Sequence, residues 1–267
     1  MQTSGIGRLY IREYGSIMQT VMMIFTLFFS FAVPIGLLVY WKKRNGLSIF
    51  TFVVGGMCFL LFAMGLEQML HAVCIGMDTP VSRAIQSNPW LYVAYGCLAA
   101  GIFEETGRYF GFKVLLRNYK ERPVSVAYGI GHGGIETIMT LGLTYLLLTL
   151  VHFGVGIGDP ESNAMLMESV RTSSAGEMGL AMLERISAMM LHISLSILVF
   201  AAVHGEKKKY LYPLSIVLHA LTNVMAGLYQ TGLVTNILLV ELVTFACSVC
   251  IMIFGRKIYL QIAPGEK

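Results

Sequence analysis

Two glutamates stand side by side in the segment EETGR at 104–108: Glu104 and Glu105, followed by Arg108. Further along, GHGGIE at 131–136 places His132 four residues before Glu136, and HALTN at 219–223 places His219 four residues before Asn223. His192 lies between these two segments. Carboxylates beside histidines suit the activation of water. A buried glutamate can take a proton from water, neutral imidazoles can hold the water or the developing oxyanion, and an amide can donate to that oxyanion. The same groups could hold a divalent metal such as zinc, with Glu136, His192 and His219 as ligands and another glutamate as base. No HExxH is present, so the sequence permits a metal without demanding one, and no serine or cysteine falls in a recognisable nucleophile motif.

On a helix, residues four apart share a face. His132 with Glu136, and His219 with Asn223, then look the same way. Glu104 and Arg108 have that spacing too, so the arginine is expected to neutralise Glu104 and hold it still. Glu105, turned about 100° from its neighbour, becomes the free carboxylate aimed into a cavity. Gly129, Gly131, Gly133 and Gly134 surround His132, leaving room for a neighbouring helix or an extended substrate backbone. They do not read as a phosphate loop, because no strand precedes them.

The elements that must position these residues are membrane helices. Of 267 residues, 56% are hydrophobic and 13% charged, and the mean hydropathy is +0.69. A soluble domain carries roughly a quarter charged residues, so that class is excluded. Mostly apolar windows of spanning length fall at about 17–41, 47–75, 90–112, 124–155, 178–203, 211–228 and 234–254. The expected architecture is all-α, one polytopic bundle of about seven transmembrane helices over 1–267. The first window reads as a retained anchor and not a cleaved signal.

Lys42, Lys43, Arg44, Lys113, Arg117, Lys120, Arg122, Lys207, Lys208, Lys209, Arg256, Lys257 and Lys267 fall on one side of such a bundle; Arg8, Arg12, Arg83 and Arg171 fall on the other. By the positive-inside rule the N-terminus is outside and the C-terminus cytoplasmic. The net charge of +4 and pI of 8.8 are then topology and attraction to anionic lipid, with no concentrated basic face for nucleic acid. Counted at 1.5 Å per residue from the cytoplasmic end of each span, Glu104, Glu105, His132, Glu136, His192, His219 and Asn223 fall into one layer roughly 12–18 Å deep. Charge at that depth costs about 2.5–3.5 kcal/mol or more per residue, so a shared functional site is the economical explanation.

Other polar residues read as structural. Glu67 and His71 make an i, i+4 pair towards the outer end of the second span, away from the layer. Glu184 and Arg185 read as mutual neutralisation, and His152 and Glu241 as helix-to-helix hydrogen-bonding residues. The five cysteines all lie in apolar stretches and read as packing residues.

The order Glu-Glu-x-x-Arg, His-x-x-x-Glu, Arg with His, and His-x-x-x-Asn on successive spans resembles the YhfC family of intramembrane proteases, related to the PrsW and CAAX-processing (CPBP) proteases. The resemblance implies that one of Glu104 and Glu105 activates water, and that His219 and Asn223 position water and stabilise the oxyanion. Glu136 stands where PrsW-type members carry glutamate and CAAX-type members carry histidine. Arg108 comes one position earlier than in the CAAX-type pattern, and His132 replaces its usual phenylalanine, which points away from prenyl-protein substrates. The expected function is an intramembrane endopeptidase, of glutamic or metal-dependent type, in a bacterial cytoplasmic membrane. It would act on a membrane-embedded protein or peptide in the cytoplasmic half of the bilayer. Glu105 is the expected base, with Glu104 and Arg108 organising it and His132, Glu136 and His192 completing the site. A proton- or cation-coupled transporter and a non-catalytic immunity or scaffold protein are the alternatives.

Overall fold

The computed structural model describes residues 5–262, without the side chains of residues 5–16 and 206. The topological expectations for Arg8 and Arg12 fall on residues whose side chains are not described, and that for Lys267 lies outside the described residues. Regular structure among the described residues is entirely helical. In chain order the helices are α1 (Gly5–Asn45), α2 (Ile49–Gly76), α3 (Pro80–Ser87), α4 (Pro89–Phe110), α5 (Pro123–His152), α6 (Pro160–Thr172), α7 (Ala175–His204), α8 (Leu211–Gln230) and α9 (Ile237–Gln261). Turn chemistry sets many of the starts. Thr79, Asn88 and Asp159 each cap a helix through a side-chain oxygen and are followed by proline at its first position, where the missing N–H costs nothing. At the start of α7, Ser174 and Glu177 exchange side-chain-to-backbone bonds of 2.7 and 3.1 Å, a reciprocal capping box.

Among the described residues six helices are long and apolar enough to cross a membrane: Ile17–Asn45 within α1, and all of α2, α5, α7, α8 and α9. The third expected span, α4, is a 22-residue helix and so about 33 Å long, but Glu104, Glu105 and Arg108 dilute its apolar character. The long loop expected from Gly156 to Glu177 contains the helix α6.

Two compact units divide the chain. One comprises residues 1–33 and 137–185. In it Met23, Leu141, Tyr145, Leu148, Val170 and Met178 form a buried cluster. The Gln19 amide donates to the carbonyls of Val170 and Ser173 at the end of α6, and Thr20 Oγ1 meets His152 Nε2 at 3.0 Å. Arg185 pairs with Glu184 and donates to Thr140, the mutual neutralisation read from their adjacency.

The other unit comprises residues 34–136 and 186–267 and holds every candidate site residue. Its core joins Phe52 of α2, Ala127 and Ile130 of α5, Leu195 and Leu198 of α7 and Ile251 of α9. Lipid tails are as apolar as these side chains, so close van der Waals packing must hold the helices together. Glycine makes that packing possible at two crossings. A Cβ on Gly131 would stand 1.9 Å from the Phe52 carbonyl oxygen of α2, and one on Gly129 would stand 2.5 Å from Ile193 Cα of α7. The room expected beside His132 at Gly129 and Gly131 is therefore taken up by neighbouring helices.

Gly131→Ala is expected to destabilise the protein by about 1–3 kcal/mol through overpacking, seen as a lower unfolding temperature in detergent. Gly36→Ala, where nothing lies within 4 Å, should leave that temperature unchanged or raise it.

Candidate active site

Four helices bring polar residues together: α4 supplies Glu104, Glu105 and Arg108, α5 His132 and Glu136, α7 His192, and α8 His219. Helix α4 packs closely along α8, where a Cβ on Gly101 would come within 2.8 Å of the Ile216 carbonyl oxygen. That closeness carries the twin glutamates to His219.

Arg108 and Glu105 form the rigid part of the site. Both side chains are 0% exposed. Arg108 Nε donates to Glu105 Oε2 at 2.9 Å and Nη2 to Oε1 at 3.1 Å, a two-pronged pair. Its remaining donors cross to α7: Nη1 reaches the His192 carbonyl at 3.1 Å and Ser196 Oγ at 2.5 Å, and Nη2 reaches His192 Nδ1 at 3.1 Å. The arginine thus grips Glu105, three residues earlier, and not Glu104, four earlier as its spacing suggested. The cause is α7, whose carbonyl and hydroxyl draw the guanidinium towards the Glu105 side. Ser196 was missed in the sequence, although it stands one turn after His192 and so shares its face.

Glu104, rather than Glu105, is the carboxylate turned to the histidines. Its Oε2 lies 2.9 Å from His132 Nε2 and 3.8 Å from His192 Nδ1, and its Oε1 lies 3.8 Å from His219 Nε2. His219 is held from behind, its Nδ1 hydrogen-bonded at 2.9 Å to Glu105 Oε1. Because Arg108 keeps Glu105 an acceptor, His219 Nδ1 is the donor, and Nε2 is left facing Glu104. A guanidinium only donates, so His192 Nδ1 accepts. When that ring is neutral its proton is on Nε2, which lies 2.6 Å from Glu136 Oε2. The His132 ring stands edge-on to Phe59 at 5.2 Å, an apolar wall on the α2 side.

Ligand chemistry separates the two glutamates further. Donor atoms of Glu104, His132 and His192, all buried, lie within 4.8 Å of one another. Imidazole nitrogens with one carboxylate oxygen suit zinc or another first-row divalent ion. This group differs from the expected Glu136, His192 and His219: Glu104 and His132 enter it, and only His192 is shared. Glu105 stands one step behind that group: it pairs with Arg108, which is bonded to His192, the place of an outer carboxylate that supports a ligand. Glu104 and Glu136 keep 10% and 14% of their side chains exposed, whereas Glu105 is sealed. Asn223 is half-buried one turn beyond His219 and makes no hydrogen bond among the described residues. Glu67, expected apart from the layer, pairs with His71 at 3.3 Å, as their i, i+4 spacing suggested.

Removing one member of the buried pair strands the other's charge. Arg108→Met is expected to cost about 3–5 kcal/mol. The double variant Arg108→Met with Glu105→Gln should cost clearly less than the sum of the two single changes in denaturant unfolding.

A family model described as "YhfC intramembrane metalloprotease" matches residues 29–244. The chain is 35% identical over 243 residues to "Uncharacterized membrane protein YhfC" of Bacillus subtilis (strain 168), covering 86% of this chain and 93% of that protein. No solved structure matches. With its all-helical fold and buried Glu-His-His group, the chain belongs to the YhfC intramembrane metalloprotease family.

Proposed function

We propose that the chain is an intramembrane endopeptidase whose hydrolytic centre is the Glu104, His132 and His192 group, with Glu136 as the base. The observation that carries this reading is the division between the two adjacent glutamates: Glu105 is sealed against Arg108, while Glu104 faces three imidazoles. Glu104, His132 and His192 would hold a divalent metal. Bound there, such an ion supplies Lewis acidity and a more acidic water.

The chain's own residues supply the remaining chemistry. Glu136, partly accessible and adjacent to His192 Nε2, takes a proton from water and returns it to the leaving nitrogen. As a metal ligand through Nδ1, which is the nitrogen on the Glu104 side, His192 would give up the bond that this atom accepts from Arg108, while its Nε2–H orients the Glu136 carboxylate. The Asn223 amide, unspent on other bonds, donates to the oxyanion of the tetrahedral intermediate. Glu105 acts through His219 as a positioning residue. The substrate is a membrane-embedded protein or peptide. The site lies in the cytoplasmic half of a bacterial cytoplasmic membrane, because Glu104 is near the end of α4 that leads into the basic segment Lys113–Arg122. Kinship with the PrsW and CAAX-processing proteases rests on the order of the motifs along the chain.

Cleavage of a membrane-embedded peptide by purified protein tests the assignment. Glu104→Gln and Glu136→Gln should each lower kcat by about 10²- to 10⁴-fold, while the unfolding temperature holds. Full cleavage by either folded variant would remove that residue from the mechanism.

A further inference from the structure

Where α1 ends and α2 begins, the protein carries an open groove that the hydrolytic reading leaves unused. Its volume is about 420 Å³. Leu38, Val39, Lys42 and Lys43 line it from the last turns of α1, and Leu47 and Ile49 from the start of α2. Leu38 stands one turn before Lys42, and Val39 one turn before Lys43. Each apolar residue therefore shares a helix face with a cation. A spanning Ile17–Asn45 has 29 residues, about 43 Å, against a hydrocarbon core of about 30 Å. The two lysines then reach the headgroup layer, with Leu38 and Val39 about 6 Å deeper.

Contacts behind the groove fix its walls. Leu38 and Leu47 pack against the core around Phe52 and Ala127. Trp41 Nε1 donates to the Pro123 carbonyl at 3.0 Å, tying the end of α1 to the start of α5. Gly46 turns the chain at φ +63°, and the Leu47 N–H closes that turn on the Lys42 carbonyl at 3.2 Å, a glycine stop for α1. The open side is half apolar and half cationic. Val39 and Ile49 are 41% and 46% exposed; Lys42 and Lys43 are exposed and have no carboxylate partner among the described residues. Between Glu13 and Glu67 the charged residues are Lys42, Lys43 and Arg44 alone, and the Arg44 guanidinium lies 5.8 Å from the centre of the Tyr40 ring.

We propose that this groove binds one anionic phospholipid, with its phosphodiester at the Lys42 and Lys43 ammonium groups and the upper part of an acyl chain along Leu38, Val39 and Ile49. Charge complementarity selects the occupant. Two ammonium groups without a carboxylate call for an anion, which lysine binds as a point charge. The apolar wall one turn deeper calls for hydrocarbon. An anionic phospholipid supplies both at that spacing, whereas free phosphate would fill only the basic half and a zwitterionic lipid would bring a cation of its own. Basic segments beside a membrane attract anionic lipid diffusely; the fixed walls turn that attraction into a site for one molecule. The site stands independently of the peptidase reading.

Native mass spectrometry of the full-length protein in detergent, titrated with dioleoyl phosphatidylglycerol or dioleoyl phosphatidylcholine, tests the site. The first phosphatidylglycerol should bind about tenfold or more tightly than phosphatidylcholine, and Lys42→Gln with Lys43→Gln should weaken it about 10- to 30-fold. Lys207→Gln with Lys209→Gln removes the same charge from exposed positions outside the groove and should change that affinity by less than about twofold. Val39→Ser with Ile49→Ser keeps both cations and should weaken phosphatidylglycerol about tenfold. All of these side chains are exposed, so the unfolding temperature should hold. Equal affinity for the two lipids, or an equal loss in the two lysine pairs, overturns the site in favour of diffuse attraction. Wild-type affinity in Lys42→Gln with Lys43→Gln, or in the serine pair, overturns it as well. Protein dimers that exclude the lipid would assign the groove to a second copy of the chain, against the proposal.

Discussion

A guanidinium buried among membrane helices must have its donors satisfied, and this constraint organises the site. In water an unpaired N–H finds solvent, whereas in the interior each orphaned polar group costs several kcal/mol. Arg108 meets the requirement with Glu105 on its own helix and with His192 and Ser196 on α7. Every bond that satisfies it also fixes something else: the orientation of the Glu105 carboxylate, the tautomer of His192 and the register of α4 against α7. Glu105 passes the constraint on to α8 through His219.

Two glutamates adjacent in sequence thereby have different environments. One is an ionic anchor with no exposure; the other keeps an oxygen for the histidines. A helix turns about 100° per residue, so adjacent residues cannot share a neighbourhood, and the arginine selects which of them becomes the anchor. Buried ion pairs are weak sources of stability because desolvation offsets much of their attraction. In this protein the value of the pair lies in holding two imidazoles, His192 and His219, in place.

Much of this was legible in the sequence for a simple reason. Charges are scarce at 13%, so those left inside apolar windows stand out, and helical periodicity gives their faces. His132, His192 and His219 were identifiable on those grounds, and so was the all-helical membrane architecture. The partner of Arg108 was not. Reach from i+3 and from i+4 is equal on an isolated helix, and the decision lies with Ser196 and a carbonyl on another helix. The Glu67–His71 pair was legible as i, i+4 neighbours, but the π turns around it were not, because hydropathy does not encode them. The apolar window at 90–112 reads as a span, yet helix α4 is not among the six described helices apolar enough to cross a membrane, because Glu104, Glu105 and Arg108 lower its hydropathy. The Glu104, His132 and His192 group differs from the set read in the sequence because taking Glu105 as the free carboxylate draws attention away from Glu104.

Zinc binding to chelator-stripped protein, compared between Glu104→Gln and Glu105→Gln, tests the division between the two glutamates most directly. Loss of the inner carboxylate should abolish tight binding. Loss of the outer one should weaken the affinity by about 10- to 100-fold while the stoichiometry is kept. Tight binding that survives Glu104→Gln but disappears with Glu105→Gln would contradict the account, because the anchor and the ligand would then be the other way round.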